Sequence, residues 1–214
     1  MNTGIYKMVE EFEKEICKYT GAPYAITIDS CSNALFLALK FEKVEGVEIT
    51  IPSRTYPSVP CEIIHAGGKV KFKKIKSKSI KGAYQLEPTC VWDSALRFTH
   101  DMYIPGTHLC LSFTGPSKHL KLGKGGAILT DNKKAAEWFR RARYSGRTPG
   151  ISYHNENFDM IGWNFVMMPE IALRGLSLIK QFYTQLGSIP IPQEDVELSY
   201  PDLSQFPIYQ SEDQ

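Results

Sequence analysis

The first residue that points to chemistry is a lysine in a short loop between two apolar segments. Lys118 lies in SFTGPSKHLKLGKGG, residues 112–126, with LCL before the serine–phenylalanine pair and AIL after the last glycine. Both flanks are typical of buried strands, whereas a lysine ammonium group favours water. A lysine led to the end of a buried strand would bind an anion or react as an amine. The alternative, for Lys118 taken alone, is an ordinary lysine of a surface loop.

Three other predicted strands also end at residues that could do chemistry. The sequence YAITI (24–28) leads into DSCSN, VEITIP (47–52) is followed by Thr55 and Tyr56, and CVWD (90–93) ends in Asp93. Each of these residues alone could be a helix cap, a core aromatic or a turn former. Ligands of α/β sheets bind at the carboxyl ends of strands, so we expect these sites to converge on one edge of one sheet.

The converging residue types fit pyridoxal 5′-phosphate. Free backbone N–H groups at a helix N-terminus bind a phosphate group, which points to the turn with Ser32 and Asn33, and Ser112 would complete that site. An aromatic ring such as Tyr56 would stack on the pyridine, and Asp93 would keep the ring nitrogen protonated. The Lys118 amine, with its pKa lowered by partial burial, would form the Schiff base.

The elements that must position these residues alternate along the chain. Helices are predicted at 5–19, after DSCSN, within YPSVPCEIIHAGG, from the Asp131–Asn132 cap to about Tyr144, and from Pro169 to about Leu186. Further strands are predicted at VKF (70–72), LCLSF (109–113) and GAILT (126–130). This alternation with continuous apolar strands predicts an α/β fold whose sheet has helices on both faces. The proline- and acid-rich end has no periodicity, so we predict a domain over 1–187 and an extended tail over 188–214.

Composition narrows the function classes. The 214 residues carry a net charge of +2, which is too small to suggest a nucleic-acid partner, and no apolar run approaches the roughly 20 residues of a membrane span. No signal peptide is visible, and five scattered cysteines without paired spacing indicate reduced thiols in a cytoplasmic protein. The histidines form no HxxxH or HxH pair, so no metal site is expected. The basic run from Lys69 to Lys81 is interpreted as a solvated edge strand, with an anion-binding surface as the alternative.

At this point the chain resembles the DegT/DnrJ/EryC1/StrS family of pyridoxal-phosphate-dependent nucleotide-sugar aminotransferases, from about Met8 to Phe182. The segments that carry the resemblance are FEKEICKYTGAPYAITIDSCSNALFLALK, IPSRTYPS, WDSA, SFTGPSKHLKLGKGGAILTD and GWNFVMMPEIALRGL. The resemblance implies the large domain of the fold type I aminotransferases, a mixed and mostly parallel sheet with helices on both faces. It also implies that Lys118 forms the Schiff base. In the family's dehydratase branch a histidine replaces that lysine, and His119 is adjacent here.

The resemblance further implies a shared active site in a homodimer, because the family's asparagine in the last segment reaches the partner subunit's cofactor. That residue is Asn164 here, and it lies among Trp163, Phe165, Met167 and Met168. This apolar cluster would be either an intramolecular core or a subunit interface. The implied reaction moves an amino group from an amino acid, with glutamate as the expected donor, to a keto-sugar nucleotide.

Departures from the family pattern leave an alternative open. Cys31 replaces a glycine of the phosphate turn, Leu96 a polar residue after the WDSA aspartate, Lys124 a glutamate, and Val166 an arginine. One strand–helix unit between Tyr56 and Asp93 and most of the small C-terminal domain have no counterpart. The alternatives are therefore a trimmed, weakly active or non-catalytic protein that binds the cofactor or a nucleotide sugar, and an unrelated α/β protein.

Overall fold

The computed structural model describes residues 4–74, 82–184 and 200–209. In chain order these form α1 (Gly4–Thr20), β1 (Tyr24–Ile28), α2 (Cys31–Phe41), β2 (Glu48–Pro52), α3 (Ser58–His65), β3 (Lys69–Lys73), β4 (Tyr84–Gln85), β5 (Val91–Asp93), β6 (His108–Ser112), β7 (Gly126–Thr130), α4 (Lys133–Ala142) and α5 (Pro169–Thr184). Short 3₁₀ turns lie at Tyr153–Asn155, Leu203–Gln205 and Pro207–Tyr209. The helices and strands named from the sequence are all present, and the described bounds lie within a few residues of the predicted ones.

Five strands form the main sheet in the order β1-β7-β6-β5-β4. Strand β7 runs antiparallel to both β1 and β6, so β1 and β6 point the same way, and β5 is parallel to β6. The carboxyl ends of β1, β5 and β6 therefore lie at one edge, as expected from the sequence. Strands β2 and β3 pair in parallel as a second sheet, joined to the first by reciprocal backbone hydrogen bonds between Thr50 and Glu87.

The sheet is mixed, but the expectation that it is mostly parallel is wrong for the described ladders. The β5–β6 and β2–β3 pairs are parallel, whereas β1–β7, β6–β7 and β4–β5 are antiparallel. Two short connections cause this. Residues 113–125, called here the lysine loop, return the chain from β6 to β7, and residues 86–90 return it from β4 to β5. Neither connection contains a helix, the usual crossover between parallel strands.

Helices cover both faces of the main sheet. Alternate strand residues point to opposite faces: Ile26 and Ile128 pack with α2, α3 and α4 in one cluster, and Leu109 and Leu129 pack with α1 and α5 in the other. Helix α2 is apolar on nearly every side because it lies between the sheet and other helices, and Leu35, Leu37 and Leu39 are all buried. This confirms the predicted α/β architecture.

The chain beyond α5 returns to the sheet. The predicted boundary at 187/188 lies outside the described residues, as does the predicted helix end at Leu186. Residues 200–209, called here the C-terminal segment, make two 3₁₀ turns and bury Leu203, whose N–H donates to the Ser53 carbonyl at 2.7 Å. Part of the predicted tail is therefore folded against the loop that follows β2.

Two surface features bear on the expected classes. In the described part of the basic run, β3 alternates exposed and partly buried residues, and Lys71 and Lys73 pair with Glu48 and Glu87 at 2.7 and 2.6 Å. This favours the interpretation of a solvated edge strand. Among the described helices, none is both long and apolar enough to cross a membrane.

Candidate active site

A cavity of about 390 Å³ opens at the edge where β1, β5 and β6 end. Five of the seven residues predicted from the sequence line it: Ser32, Tyr56, Asp93, Ser112 and Lys118. They come from four separate parts of the chain, and the sheet order brings them together. The volume is in the range of small-ligand sites.

The N-terminus of α2 forms one wall of the cavity. Ser30 caps the helix by accepting a hydrogen bond from the Asn33 N–H at 3.1 Å, and the first N–H groups of a helix lack intrahelical acceptors. Ser32 donates its hydroxyl to Ser58, at the start of α3, at 2.7 Å. Gly126 permits this wall, because a Cβ there would lie 2.7 Å from the Cys31 nitrogen. The second residue of the Gly125–Gly126 pair thus lets α2 approach β7 closely.

Asp93 forms the floor of the cavity and is 6% exposed. One carboxylate oxygen accepts from the Ala95 N–H at 2.9 Å, and the other accepts from the Tyr84 hydroxyl at 2.9 Å. Burial raises the pKa of Asp93, and these two hydrogen bonds and the charge of Lys118 act against that rise. The floor is built to hold a carboxylate that would otherwise tend to take up a proton.

Tyr84 is a site residue that sequence reasoning missed. Its hydroxyl lies 2.5 Å from Thr55 Oγ1, so Thr55, Tyr84 and Asp93 form a buried chain of hydrogen bonds. Burial and the neighbouring Asp93 raise the pKa of Tyr84, so the phenol stays protonated and can donate. Strand β4 has two residues, too few to show a period, and Tyr84 faces Asp93 through the β4–β5 register.

Lys118 is half-buried in the loop after β6. Burial lowers the pKa of its amine, and the nearby Asp93 and Cys31 act in the opposite direction. A lowered pKa makes the neutral, nucleophilic amine more available near neutral pH. His119 is not among the cavity-lining residues, and its Nε2 is buried without a hydrogen-bond partner. The lysine, rather than the adjacent histidine, therefore reaches the cavity.

The rim of the cavity combines the loop after β2 with the C-terminal segment. Tyr56 is 56% exposed and packs edge-to-face on Tyr200, with ring centroids 6.1 Å apart. Arg54 donates to the Tyr200 carbonyl at 2.7 Å. Arg54 and Lys124 are exposed and also line the cavity, so the rim carries two cations in addition to Lys118. The involvement of Tyr200 had no signal in the sequence, since contact across 144 residues follows no local pattern.

The other two predicted residues, Asn33 and Asn164, do not line the cavity of this chain. The Asn33 side chain donates at 2.7 Å to Asp29, which lies just before the first residue of α2. Asn164 is exposed, and its backbone bridges Tyr144.

The apolar residues around Asn164 divide between core and surface. Trp163 and Phe165 both pack on Phe36 of α2, with ring centroids 5.0 and 6.2 Å away, and Met167 is 1% exposed. Met168 is 63% exposed. The cluster is mainly an intramolecular core, because α2 and the sheet supply its cover, and only its last member faces outward.

The comparisons with known proteins agree with this arrangement. The family model of the DegT/DnrJ/EryC1/StrS aminotransferase family matches residues 2–85. That segment includes α1, β1, the turn with Ser32 and the loop with Tyr56. Over these residues the chain is similar to the DegT/DnrJ/EryC1/StrS aminotransferase family. The spore coat polysaccharide biosynthesis protein SpsC of Bacillus subtilis (strain 168) is 37% identical over 73 residues, which are 34% of this chain and 19% of SpsC.

Solved structures show that the likeness in fold extends beyond that segment. A putative PLP-dependent aminotransferase from Bacillus cereus ATCC 10987 superposes with a TM-score of 0.69 at 19% identity, over 85% of this chain and 60% of that one. DesI, solved in the presence of its TDP-sugar product, gives a TM-score of 0.66 at 17% identity, over 84% of this chain and 54% of DesI. The chain therefore has the α/β fold of these aminotransferases while spanning about half to three fifths of their length.

Proposed function

We propose that this protein binds pyridoxal 5′-phosphate in the cavity at the sheet edge and transfers an amino group to a keto-sugar nucleotide. The observation that carries the proposal is the convergence of a half-buried lysine, a buried carboxylate and a hydroxyl-bearing helix N-terminus in one cavity. The match of residues 2–85 to an aminotransferase family model supports the same activity. The activity is proposed for a chain that spans only part of the length of its solved relatives.

The residues present fit the cofactor on chemical grounds. Its phosphate would be held by the N-terminus of α2 and the hydroxyls of Ser32 and Ser112, its pyridine nitrogen by Asp93, and its aldehyde by Lys118. Asp93 is a suitable partner for a protonated ring nitrogen, since a buried carboxylate gains from a cationic neighbour. Tyr56 would cover the ring from the rim. When bound, pyridoxal phosphate supplies an electrophilic aldehyde and an electron-withdrawing ring.

The chain's own groups would provide proton control. Lys118, with its lowered pKa, would act as the base that takes a proton at its Nζ and later returns it. Asp93 would stay ionised because Tyr84 and Ala95 donate to its two oxygens. The buried floor would exclude water from the lysine and the carboxylate.

The proposed substrate class is supported by the charges at the rim of the cavity and by the relatives. The rim adds the cations Arg54 and Lys124 to the cavity, which favours an anionic ligand such as a sugar diphosphate. DesI was solved with a TDP-sugar product, and SpsC is named for polysaccharide biosynthesis. Glutamate is proposed as the amino donor by analogy with the family.

A turnover assay tests the proposed aminotransferase activity. The full chain with pyridoxal phosphate, glutamate and a panel of nucleotide keto-sugars should release 2-oxoglutarate and yield an amino-sugar nucleotide. Lys118→Ala should abolish both products, whereas Lys121→Ala, a change at an exposed neighbour, should not. Cofactor binding without product from any donor and acceptor would overturn the transferase activity. It would favour the binding homologue, an alternative supported by the partial coverage of the relatives.

A shared active site in a homodimer is a second part of the proposal. Asn164 lies outside its own cavity and is exposed, and Ile161 and Met168 on the same segment are 90% and 63% exposed. These features favour contact of this segment with a second copy, where Asn164 would reach the partner's cofactor.

All five cysteines are free, which supports a cytoplasmic location.

Mixing two inactive variants tests the shared site. Lys118→Ala and Asn164→Ala should each be inactive alone, and subunit exchange should restore part of the activity, because some heterodimers then hold one intact site. Asn155→Ala is a control on an exposed asparagine outside the cavity. A fully active Asn164→Ala chain, or mixtures that stay inactive after proven exchange, would contradict sharing.

A further inference from the structure

A second cluster of reactive side chains lies at the opposite end of the strands. Glu42 ends α2, Cys90 precedes β5, and His108 opens β6. One ligand atom from each, a carboxylate oxygen, a thiol sulfur and a ring nitrogen, lie within 4.8 Å of one another. The amino-transfer site uses none of these groups, because it lies where β5 and β6 end.

We propose that Glu42, Cys90 and His108 bind a single divalent transition-metal ion of the zinc class. Thiolate, imidazole and carboxylate together are ligands of zinc, whereas calcium and magnesium take oxygen ligands. In tetrahedral zinc sites, bond lengths of about 2.0–2.3 Å place ligand atoms roughly 3.3–3.8 Å apart. The observed atoms lie within 4.8 Å of one another, so metal binding would draw them together by up to about 1 Å.

The backbone fixes two of the three ligands side by side. The His108 N–H donates to the Cys90 carbonyl at 2.9 Å, and Val91 pairs with His108 in the parallel ladder. Glu42 is held at the end of α2, where its N–H donates to helical carbonyls. A site on strand and helix ends requires little ordering of the chain when the ion binds.

The histidine is oriented as metal-binding histidines are. Its Nδ1 lies 3.0 Å from Thr130 Oγ1, and its Nε2 faces Glu42 at 3.6 Å. Phe41 and Phe139 pack edge-on against the ring at 5.6 and 5.4 Å. A hydrogen bond on one ring nitrogen fixes the tautomer that presents the other to a metal.

Metal binding would release one proton. A divalent ion would displace the Cys90 thiol proton to solvent and bond the thiolate, leaving neutral imidazole, one thiolate and one carboxylate around a 2+ charge. Cys90 and Glu42 are only partly buried, which leaves room for water as a fourth ligand.

Cobalt(II) is the probe, because its bonds to thiolate are visible. Titration of the reduced full chain with Co²⁺ should give a near-ultraviolet sulfur-to-cobalt band and visible bands of tetrahedral cobalt, saturating at one ion per chain. Zn²⁺ should displace the signal. Cys90→Ser should abolish the band, whereas the matched control Cys17→Ser, at a half-buried cysteine of α1, should retain it.

A second variant keeps the test decisive if Cys90→Ser fails to fold. Glu42→Gln alters a partly exposed side chain and should weaken cobalt binding by about 10-fold or more, the scale seen when metal-site partners are changed. Zn²⁺ should also raise the melting temperature of the unaltered chain by mass action, and less so that of Glu42→Gln. No thiolate–cobalt band at one equivalent, a band that survives Cys90→Ser, or unchanged affinity in folded Glu42→Gln would overturn the proposal.

Discussion

The floor and the rim of the cavity are built in different ways. The floor residues Asp93, Tyr84 and Thr55 are 6%, 8% and 3% exposed and are joined by hydrogen bonds inside the sheet. At the rim, Tyr56 is 56% exposed, and it meets Tyr200 from a segment that returns from far along the chain. In the proposed activity, the floor would fix the chemistry and the rim would select the substrate, because rigid buried groups position reacting atoms and exposed loops vary with the ligand.

The largest effect expected from the floor, apart from loss of the lysine itself, comes from Asp93→Asn. Asparagine keeps the shape and can still accept from Tyr84, so the fold should persist, but it cannot hold a protonated ring nitrogen. Amino transfer should fall on the order of 10²-fold, as for removal of one electrostatic partner. Steady-state kinetics with circular dichroism as a check on folding measures this, and near-normal activity would remove Asp93 from the mechanism.

A smaller loss is expected from Tyr84→Phe, which removes one donor to Asp93 and leaves the ring. The hydrogen bond from Tyr84 lowers the pKa of Asp93, so its loss should raise that pKa further and move the acid limb of the pH–rate profile to higher pH. We expect kcat to fall by about 10-fold, the lower end for a residue that orients a reacting group. Tyr103→Phe, which alters a hydroxyl bonded to Thr107 away from the cavity, is the control. An unchanged profile would show that Tyr84 does not tune Asp93.

The rim should respond in KM rather than kcat. Tyr200→Ala removes the edge-to-face contact with Tyr56, and such aromatic pairs contribute about 0.5–1.5 kcal/mol, or roughly 2- to 10-fold in affinity. KM for the sugar nucleotide should rise within that range while kcat stays near its original value. Tyr209→Ala, which removes a comparable contact with Phe72 outside the cavity, is the control. A large fall in kcat in Tyr200→Ala would show that the rim also contributes to the chemical step, against the proposed division between floor and rim.

The smallest expected effect is on the stability of the cofactor-free protein. Because the pKa of Lys118 is lowered in the folded chain, the protonated lysine destabilises folding at pH values below its folded pKa. That penalty disappears as pH rises through the folded pKa toward the unfolded value of 10.5. Lys118→Met should therefore unfold at higher urea concentration than the original chain at pH 7, with a smaller gain at pH 10. Lys121→Met, at a lysine with solvent exposure, should show no such trend.

The floor was partly predictable from the sequence, and for an identifiable reason. Lys118 and Asp93 follow or end apolar strands, and strand order at one sheet edge brings such ends together. Tyr84 was not predictable, because β4 has only two residues and its facing of Asp93 depends on register across strands. Ser32 was predicted from its position in a helix-capping turn, although its bond to Ser58 depends on how α3 packs.

The rim and the cluster of Glu42, Cys90 and His108 could not be predicted, because they form through contacts that leave no local pattern in the sequence. Tyr200 reaches Tyr56 only because the chain after α5 returns to the loop that follows β2. Glu42, Cys90 and His108 have no metal-ligand spacing, so the expectation of no metal site followed from sequence periodicity alone. Their proximity results from the end of α2 lying beside the starts of β5 and β6. Sheet direction was also misjudged, because the lysine loop and the β4–β5 turn reverse the chain without a helix.

The most direct test of the central claim is to identify the residue that bonds pyridoxal phosphate. The full chain is incubated with the cofactor, reduced with borohydride, digested and mapped by mass spectrometry. We predict a single phosphopyridoxyl group on Lys118, which lines the same cavity as Asp93 and whose charge lowers the pKa of Asp93, and none in Lys118→Ala. A label on Lys121 or Lys124, or no label at all, would contradict the assignment of this cavity as the cofactor site.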